Sequence, residues 1–366
     1  MKMYLLKALT GVFLLSSVFS VFANDLRSSE ARSAGMGGVG IAVKSRPSQI
    51  KGNPALLSFG KNEFQMSIPS GKVAHSGIEM NEIQSWFPSS PVSDTFESKI
   101  SQAQEQLHEK ASEAGDAKIS IAYGRWHVGI DNFATQHTEA NQTLLTWINS
   151  DKSFPPPFNG SIHTIAHGEF RGEISYAFPV NKHNQDTLQV GIRAHATKSY
   201  FSHRYLDVMT ALTGKGNTYA PEMNGSSFLE KTGFGLDMGI YFEPKNRKDI
   251  GFGIVIENII ASNVGFQATD ANGNPITINK KNLSAHLGIA YSPTQNLLLA
   301  CDIYDTANTM KSREIRLGAE WIINPEIAIR AGYASQHGYT FGLSYQNLHL
   351  AVSPNSNLVV SATQRF

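Results

Sequence analysis

The sequence predicts an all-β fold: a transmembrane antiparallel β-barrel of about 14 strands, with an N-terminal plug and one helix in a loop. Three observations predict it. Apolar residues alternate with small, polar or ionisable ones over many successive segments. The connections between those segments alternate, through most of the chain, between long and short. Beyond an N-terminal leader, no run approaches the about 18 unbroken apolar residues that mark a spanning helix.

The chain has 366 residues, with 31 Lys+Arg against 30 Asp+Glu and a net charge of +1. That balance offers neither a nucleic-acid surface nor a polybasic membrane patch. Charged residues make up 17%, below the roughly 25% of an ordinary soluble domain. The single Cys excludes an internal disulfide framework and any multi-cysteine metal site.

Residues 1–23 read as a secretory signal peptide. Lys2 and Lys7 precede the mostly apolar run Ala8–Phe19, and Val21-Phe22-Ala23 offers small residues at the cleavage positions. The run is too short for a spanning helix, which needs about 20 residues. No Cys follows, so no lipoprotein anchor is expected, and the mature chain starts at Asn24.

Residues 24–60 read as a plug, or hatch. Gly-rich stretches, the alternating Val39, Ile41 and Val43, and the compact Asn53-Pro54-Ala55-Leu56-Leu57 hold too few apolar residues to build a core alone. They hold too many to float free as a linker. A barrel of about 14 strands has a lumen wider than side chains alone fill, since about eight strands already suffice for a filled interior. The candidate hatch residues are Arg32, Gly35, Gly37, Gly38, Gly40, Asn53 and Pro54. Arg32 should meet an acidic partner on the wall, Glu314 or Glu320.

Residues 61–366 read as the barrel, with strands at 63–69, 117–124, 126–133, 162–178, 187–200, 231–243, 249–260, 281–291, 296–305, 313–322, 326–335, 338–345, 347–353 and 357–366. Phe234, Leu236, Met238, Ile240 and Phe242 share one face and Gly235, Asp237, Gly239 and Tyr241 the other. Ile315, Leu317, Ala319 and Trp321 oppose Glu314, Arg316, Gly318 and Glu320 in the same way. A soluble sandwich alternates too; the alternating loop lengths and even strand number favour a barrel with both termini in the periplasm. Tyr291, Tyr304, Trp321, Tyr333 and Tyr345 stand at strand ends, as an interfacial girdle requires. Residues 93–115 read as a helix in an outer loop: Asp94 with Glu97 makes a capping box, Phe96, Ile100, Ala103, Leu107 and Ala111 a stripe, and Gly115 the stop. Phe154-Pro155-Pro156-Pro157-Phe158 reads as a stiff polyproline loop.

Motifs with a chemical look are discounted on context. Gly35-Met36-Gly37-Gly38-Val39-Gly40 matches G-x-G-x-x-G, but strand-like Ile41-Ala42-Val43 follows where a helix is needed. His163 and His167 lie in a strand pattern, about 13 Å apart, too far to share an ion. Cys301 falls on an apolar face without a basic neighbour. No G-x-S-x-G elbow singles out a catalytic serine. No catalytic, cofactor or metal residues are therefore assigned.

One polar set points inward if the apolar faces meet lipid: Arg171, Glu173, Arg193, His195, Asp237, Glu257, His286, Asp302, Glu314, Arg316, Glu320 and Arg330. It reads as a network of ion pairs filling the lumen, or as a lining that guides a solute.

Ala31-Arg32-Ser33-Ala34-Gly35-Met36-Gly37-Gly38-Val39-Gly40 followed by Asn53-Pro54-Ala55-Leu56-Leu57 resembles the N-terminal signature of an outer-membrane barrel superfamily. That superfamily includes the FadL-type long-chain fatty-acid transporters and the PorV-like proteins. The resemblance implies a fourteen-stranded barrel plugged by an N-terminal hatch. The amphipathic stretch before Ala117, Gly172-Glu173-Ile174-Ser175-Tyr176-Ala177-Phe178, Glu320-Trp321 and Ile329-Arg330-Ala331-Gly332-Tyr333 resemble the TraF-like conjugal-transfer family more specifically. So does Leu348–Ser356 before the terminal strand. The expected function is a Gram-negative-type outer-membrane barrel in transport or conjugal envelope transfer, needing no cofactor. Its partners would be the lipid bilayer and a hydrophobic small molecule or an envelope or conjugation protein. The alternative is a structural or interaction barrel binding an envelope or mating-apparatus partner through its long outer loops; an outer-membrane barrel hydrolase is the third reading.

Overall fold

The computed structural model describes residues 31–44, 52–60, 62–69, 111–148, 150, 157–180, 186–207, 218–225, 228–307, 313–336, 338–353 and 358–365. The expected leader, residues 93–110 of the expected helix and most of the polyproline stretch lie outside the described residues.

The strands are β1 (Glu63–Pro69), β2 (Ala111–Tyr123), β3 (Trp126–Ala140), β4 (Ser161–Pro179), β5 (Thr187–Asp207), β6 (Thr218–Tyr219), β7 (Leu229–Glu243), β8 (Ile250–Ala261), β9 (Phe266–Thr269), β10 (Pro275–Ile278), β11 (Ser284–Thr294), β12 (Leu297–Tyr304), β13 (Glu314–Asn324), β14 (Ile327–Ala334), β15 (Gly338–Tyr345), β16 (Leu348–Val352) and β17 (Leu358–Arg365). Fourteen of them form one antiparallel sheet in which each has two hydrogen-bonded neighbours. The order runs β1 to β5, then β7, β8 and β11 to β17, and β17 pairs back to β1. The pairing order is therefore cyclic, which satisfies the edge N–H and C=O groups that an open sheet leaves bare. The short β6 adds to the ladder of β5, and β9 pairs with β10 in a separate hairpin.

The alternation in the sequence decides what each face carries. On one face Phe252, Ile254, Leu287, Ile289, Ile315 and Leu317 are exposed, Leu317 by 46%. On the other, Arg193, Asp237, Asp302 and Glu320 are buried, Glu320 to 2% exposure. This inverts the arrangement of a water-soluble sheet, whose apolar face is the covered one. The exposed apolar stretch has limits. On β4 it runs from Phe178 through Tyr176 and Ile174 to Phe170, and on β7 from Phe242 to Phe234. Beyond it the same face carries Lys198, which pairs across the ladder with Phe170 and Thr232.

Two expectations are corrected. Ala111–Gly115 lies in β2, not in a helix: Ala111 faces Thr138 and Gly115 faces Ala134 across the ladder, and that pairing overrides the helical spacing. Tyr304 does not belong to the girdle. It shares a face with the buried Asp302, and the Arg316 guanidinium stacks 3.9 Å from its ring. Tyr291, Trp321 and Tyr345 do lie exposed on the apolar face near the short turns, and Tyr333 lies near Tyr339 at the other end. An unanticipated helix, Gln142–Ile148, follows β3; Asn141 caps it, its side-chain oxygen accepting the Leu144 N–H at 2.9 Å.

Candidate functional site

The N-terminal segment lies along the polar face. It opens with the short helix Ala31–Ala34, turns through Gly37 (φ +69°) and Gly38 (φ +83°), and resumes at Asn53 before the 3-10 helix Pro54–Phe59. The positive φ of the two glycines is a conformation other residues adopt only with strain. Asn53 caps its helix by accepting the Ala55 N–H at 3.0 Å, and its amide donates to the carbonyls of Ile41 (2.8 Å) and Ile240 (3.0 Å). Glycines of the sheet admit the segment. A Cβ on Gly239 would overlap Asn53 and Pro54, and one on Gly253 would overlap Ile41. Gly35 in turn lies against Gly342. Met36, Val39, Ala42, Val43, Ala55 and Leu56 of the segment share a buried apolar cluster with Tyr241, Ala290 and Ala300.

All twelve residues of the polar set stand on this covered face, Glu257 half-buried and the rest buried. They fall into separate groups. Around Arg193, Nε donates to Asp237 Oδ2 at 2.7 Å, Nη2 to Glu257 Oε1 at 3.2 Å and Nη1 to the Gly52 carbonyl at 2.7 Å. Arg171 donates to the same Asp237 oxygen at 3.2 Å and lies 3.3 Å from Glu173. His195 sits 3.6 Å from Asp237. His286 accepts the Asp305 N–H at Nδ1, so in its neutral form Nε2 carries the proton and faces Glu257 at 3.4 Å. The second Asp237 oxygen accepts the Asn258 N–H at 2.7 Å, where β8 bulges and Asn258 takes φ +57°.

The other groups bind the segment directly. Glu320 lies between Arg32 (2.5 and 2.8 Å) and Arg330 (2.5 Å), which settles the partner of Arg32 in favour of Glu320 over Glu314. Arg330 donates onward to Ser344 at 2.6 Å, and Ser344 contacts His349. Asp302 accepts the N–H groups of Gly40 (2.7 Å) and Ile41 (3.0 Å). Arg316 is engaged by Glu314 at 2.6 and 2.8 Å and reaches the Gly38 carbonyl at 3.4 Å. Lys44 pairs with Glu243 beside a cavity of about 200 Å³ at the short-turn end. Buried charges are tolerable only when paired and hydrogen-bonded in this way. The arrangement neutralises its charges internally and locks a segment in place.

Several polar residues escaped the sequence reading. Lys118, His127, Asp131 and Glu169 are buried on the same face. The parity of Trp126, Val128 and Ile130 already marked His127 and Asp131 as their opposites. His163 and His167 share no site: His163 meets His203, while the His167 ring lies 6.1 Å from Phe133. The β9–β10 hairpin was also missed, although Asn272-Gly273 between Phe266–Thr269 and Pro275–Ile278 is a strong hairpin signal.

No protein-family model and no curated protein matches the chain. Solved structures do. A deltaS2S3 mutant of the TodX monoaromatic hydrocarbon channel aligns with TM-score 0.52 and 15% identity over 94% of this chain and 100% of that one. The Ralstonia pickettii toluene transporter TbuX gives 0.51 and 16% over 93% and 99%. The P. putida toluene transporter TodX gives 0.50 and 13% over 93% and 99%. The chain has the fold of these hydrocarbon-channel and toluene-transporter structures. The likeness to conjugal-transfer proteins rests on the sequence motifs alone.

Proposed function

We propose that the chain is an outer-membrane channel for a small hydrophobic molecule, its cyclic sheet forming a barrel and residues 24–60 its plug. The inverted surface carries this reading. An exposed apolar band of roughly nine residues, at ~3.3 Å rise and ~40° tilt, covers ~23 Å, close to the ~25 Å band of outer-membrane barrels. The covered face is polar, and the N-terminal segment is locked to it by Arg32–Glu320, Asp302 and Asn53. Residues 1–23 serve as the signal peptide. Both ends of the barrel chain lie at the short-turn end, where Glu63 pairs with Ala122 and Arg365; that end faces the periplasm. The names of the structural neighbours support a hydrocarbon-like solute by analogy. An apolar cluster at the opposite end, Ile165, Phe201, Met223, Phe266 and Ala268, fits the same solute class.

Deleting residues 26–50 tests the reading. The truncated chain should still insert as a heat-modifiable barrel, and its single-channel conductance in planar bilayers should rise above that of the intact chain. Cells producing the intact chain should take up radiolabelled toluene faster than cells without it. Unchanged conductance together with free proteolysis of the intact N-terminus from the periplasmic side would make the segment a tail. Insertion with no toluene uptake would leave a barrel that binds an envelope partner.

A further inference from the structure

Beyond the apolar band, the long-loop ends of β4 and β5 carry a line of side chains with no part in the plug. Ser161 Oγ lies 3.0 Å from His163 Nε2, His163 Nδ1 lies 2.9 Å from His203 Nε2, and His203 Nδ1 lies 2.7 Å from Glu222 Oε1. His203 is completely buried. A carboxylate only accepts, so His203 Nδ1 donates to Glu222. With one proton on each ring, His203 Nε2 offers its lone pair, His163 Nδ1–H donates to it, and the Ser161 hydroxyl donates to His163.

The line ends on a segment that holds other loops. Glu222 belongs to the 3-10 turn Pro221–Met223, and Met223 is buried in the apolar cluster with Phe201 and Phe266, whose rings stack at 5.2 Å. The Glu222 oxygen that meets His203 also accepts the Thr269 N–H at 3.4 Å, at the end of β9. Two residues on, the Ala271 N–H donates to Glu139 of β3 at 2.9 Å. Asn272 accepts the Gln142 N–H of the loop helix at 2.8 Å. The β9–β10 hairpin thus lies over the polar-face side of β4 and β5, tied to the Pro221–Met223 turn and to the junction between β3 and the loop helix.

We propose that the β9–β10 hairpin is an acid-released lid at the outer mouth, latched by His163, His203 and Glu222. What the lid gates rests on the transport reading; its movement does not. The contact accommodates one N–H between the two rings; full protonation of both would set two N–H groups against each other across 2.9 Å and cut the line. A proton on His163 is disfavoured in the closed form. Its pKa is pushed down to about 4, first by burial and then by His203, against the opposing pull of Glu139, Asp270 and Glu222. Tyr205, stacked on it at 5.6 Å, is the remaining titratable neighbour on β5. Burial opposes the charges of Glu222 and Asp270. Their hydrogen bonds, from His203 and backbone for Glu222 and from Asn274 for Asp270, nonetheless hold both below the usual carboxylate range. Both carboxylates therefore favour their charged form in the closed state. A released imidazole titrates near 6.5, so the closed form binds fewer protons than the open one. The closed form loses ground as pH falls through 6.5, and the loss is complete below about 4.

Hydrogen exchange of the full-length protein in detergent, corrected for intrinsic rates, reads the lid directly. Between pH 7.5 and 4.5, protection across 266–278 should fall by about tenfold or more in the native chain. His163→Asn keeps a donor for His203 but cannot titrate, and should hold the hairpin protected at both pH values. His203→Phe should leave it unprotected throughout. Equal protection of the native hairpin at pH 7.5 and 4.5 overturns the proposal, and so does an undiminished acid loss in His163→Asn. Toluene uptake measured alongside separates the two readings: a hairpin that opens in a chain passing no toluene removes the channel and leaves the latch.

Discussion

Strands β3, β4, β5 and β7 run 15 to 21 residues, whereas β12 to β17 run 5 to 11. The two sides also handle their buried charges differently. On the short side, Glu320, Asp302 and Arg316 reach the N-terminal segment itself. On the tall side, Arg171, Glu173, Arg193, His195 and Asp237 are engaged mainly with one another, and the segment contributes the Gly52 carbonyl to Arg193. The buried charges of the short side are thus completed by the N-terminal segment, while those of the tall side are met mainly within the wall, which rises past the apolar band. Loss of the segment should therefore unpair charges first along β12 to β15.

The comparison is broken most severely at Asp237. Replacing it by Ala removes the acceptor that Arg171 and Arg193 share and frees the Asn258 N–H at the bulge. Removing one partner of a buried pair typically costs about 3–5 kcal/mol. Urea unfolding in lipid vesicles should show a loss of that size, and a loss below about 1 kcal/mol would mean that water reaches the tall-side network.

Next in size is a test of where the band ends. Leu317→Lys on β13 should cost about 2–4 kcal/mol, as charges do at mid-bilayer. Ala166→Lys, on the same face of β4 but beyond Phe170, should cost no more than about 0.5 kcal/mol. Equal costs at the two sites would place the tall wall within lipid and erase the difference in height.

Gly253→Leu addresses the plug. A side chain there meets the Ile41 backbone, and overpacking of this kind costs about 1–3 kcal/mol. Because the displaced group belongs to the segment and not to the wall, the barrel should remain inserted while its conductance rises towards that of the 26–50 deletion.

How far the sequence could be read follows the same line between short and tall. Alternation exists where one face is apolar and exposed and the other polar and covered, so every strand is legible across the band, and Arg32 can be matched to a short list of wall acids. Above the band both faces are polar or covered. The alternation accordingly defines β5 only to Tyr200 while the strand runs to Asp207, and helical spacing up to Gly115 overlaps the start of β2. Tyr304 was misplaced because a ring at a strand end looks the same whether it faces lipid or the stacked Arg316. The His163–His203 contact joins residues on neighbouring strands whose register no local pattern reveals.

The smallest expected effect falls on the lid. Gly273 sits at the tip of the β9–β10 hairpin with φ +80°, and Asp270 accepts the Asn272 and Asn274 N–H groups around it. A Cβ there meets open space, so Gly273→Ala creates no clash and acts through backbone conformation alone. Left-handed backbone costs an L-residue about 1–2 kcal/mol. That loss should appear as exchange about five- to thirtyfold faster across 266–278 at neutral pH. Global unfolding should stay unchanged, since among the described residues the hairpin's ladder is with itself and side chains tie it to the wall. If Gly273→Ala instead lowers global stability by the same amount, the hairpin unfolds with the barrel. The tall side is then one cooperative unit with its mouth, not a wall bearing a separable lid.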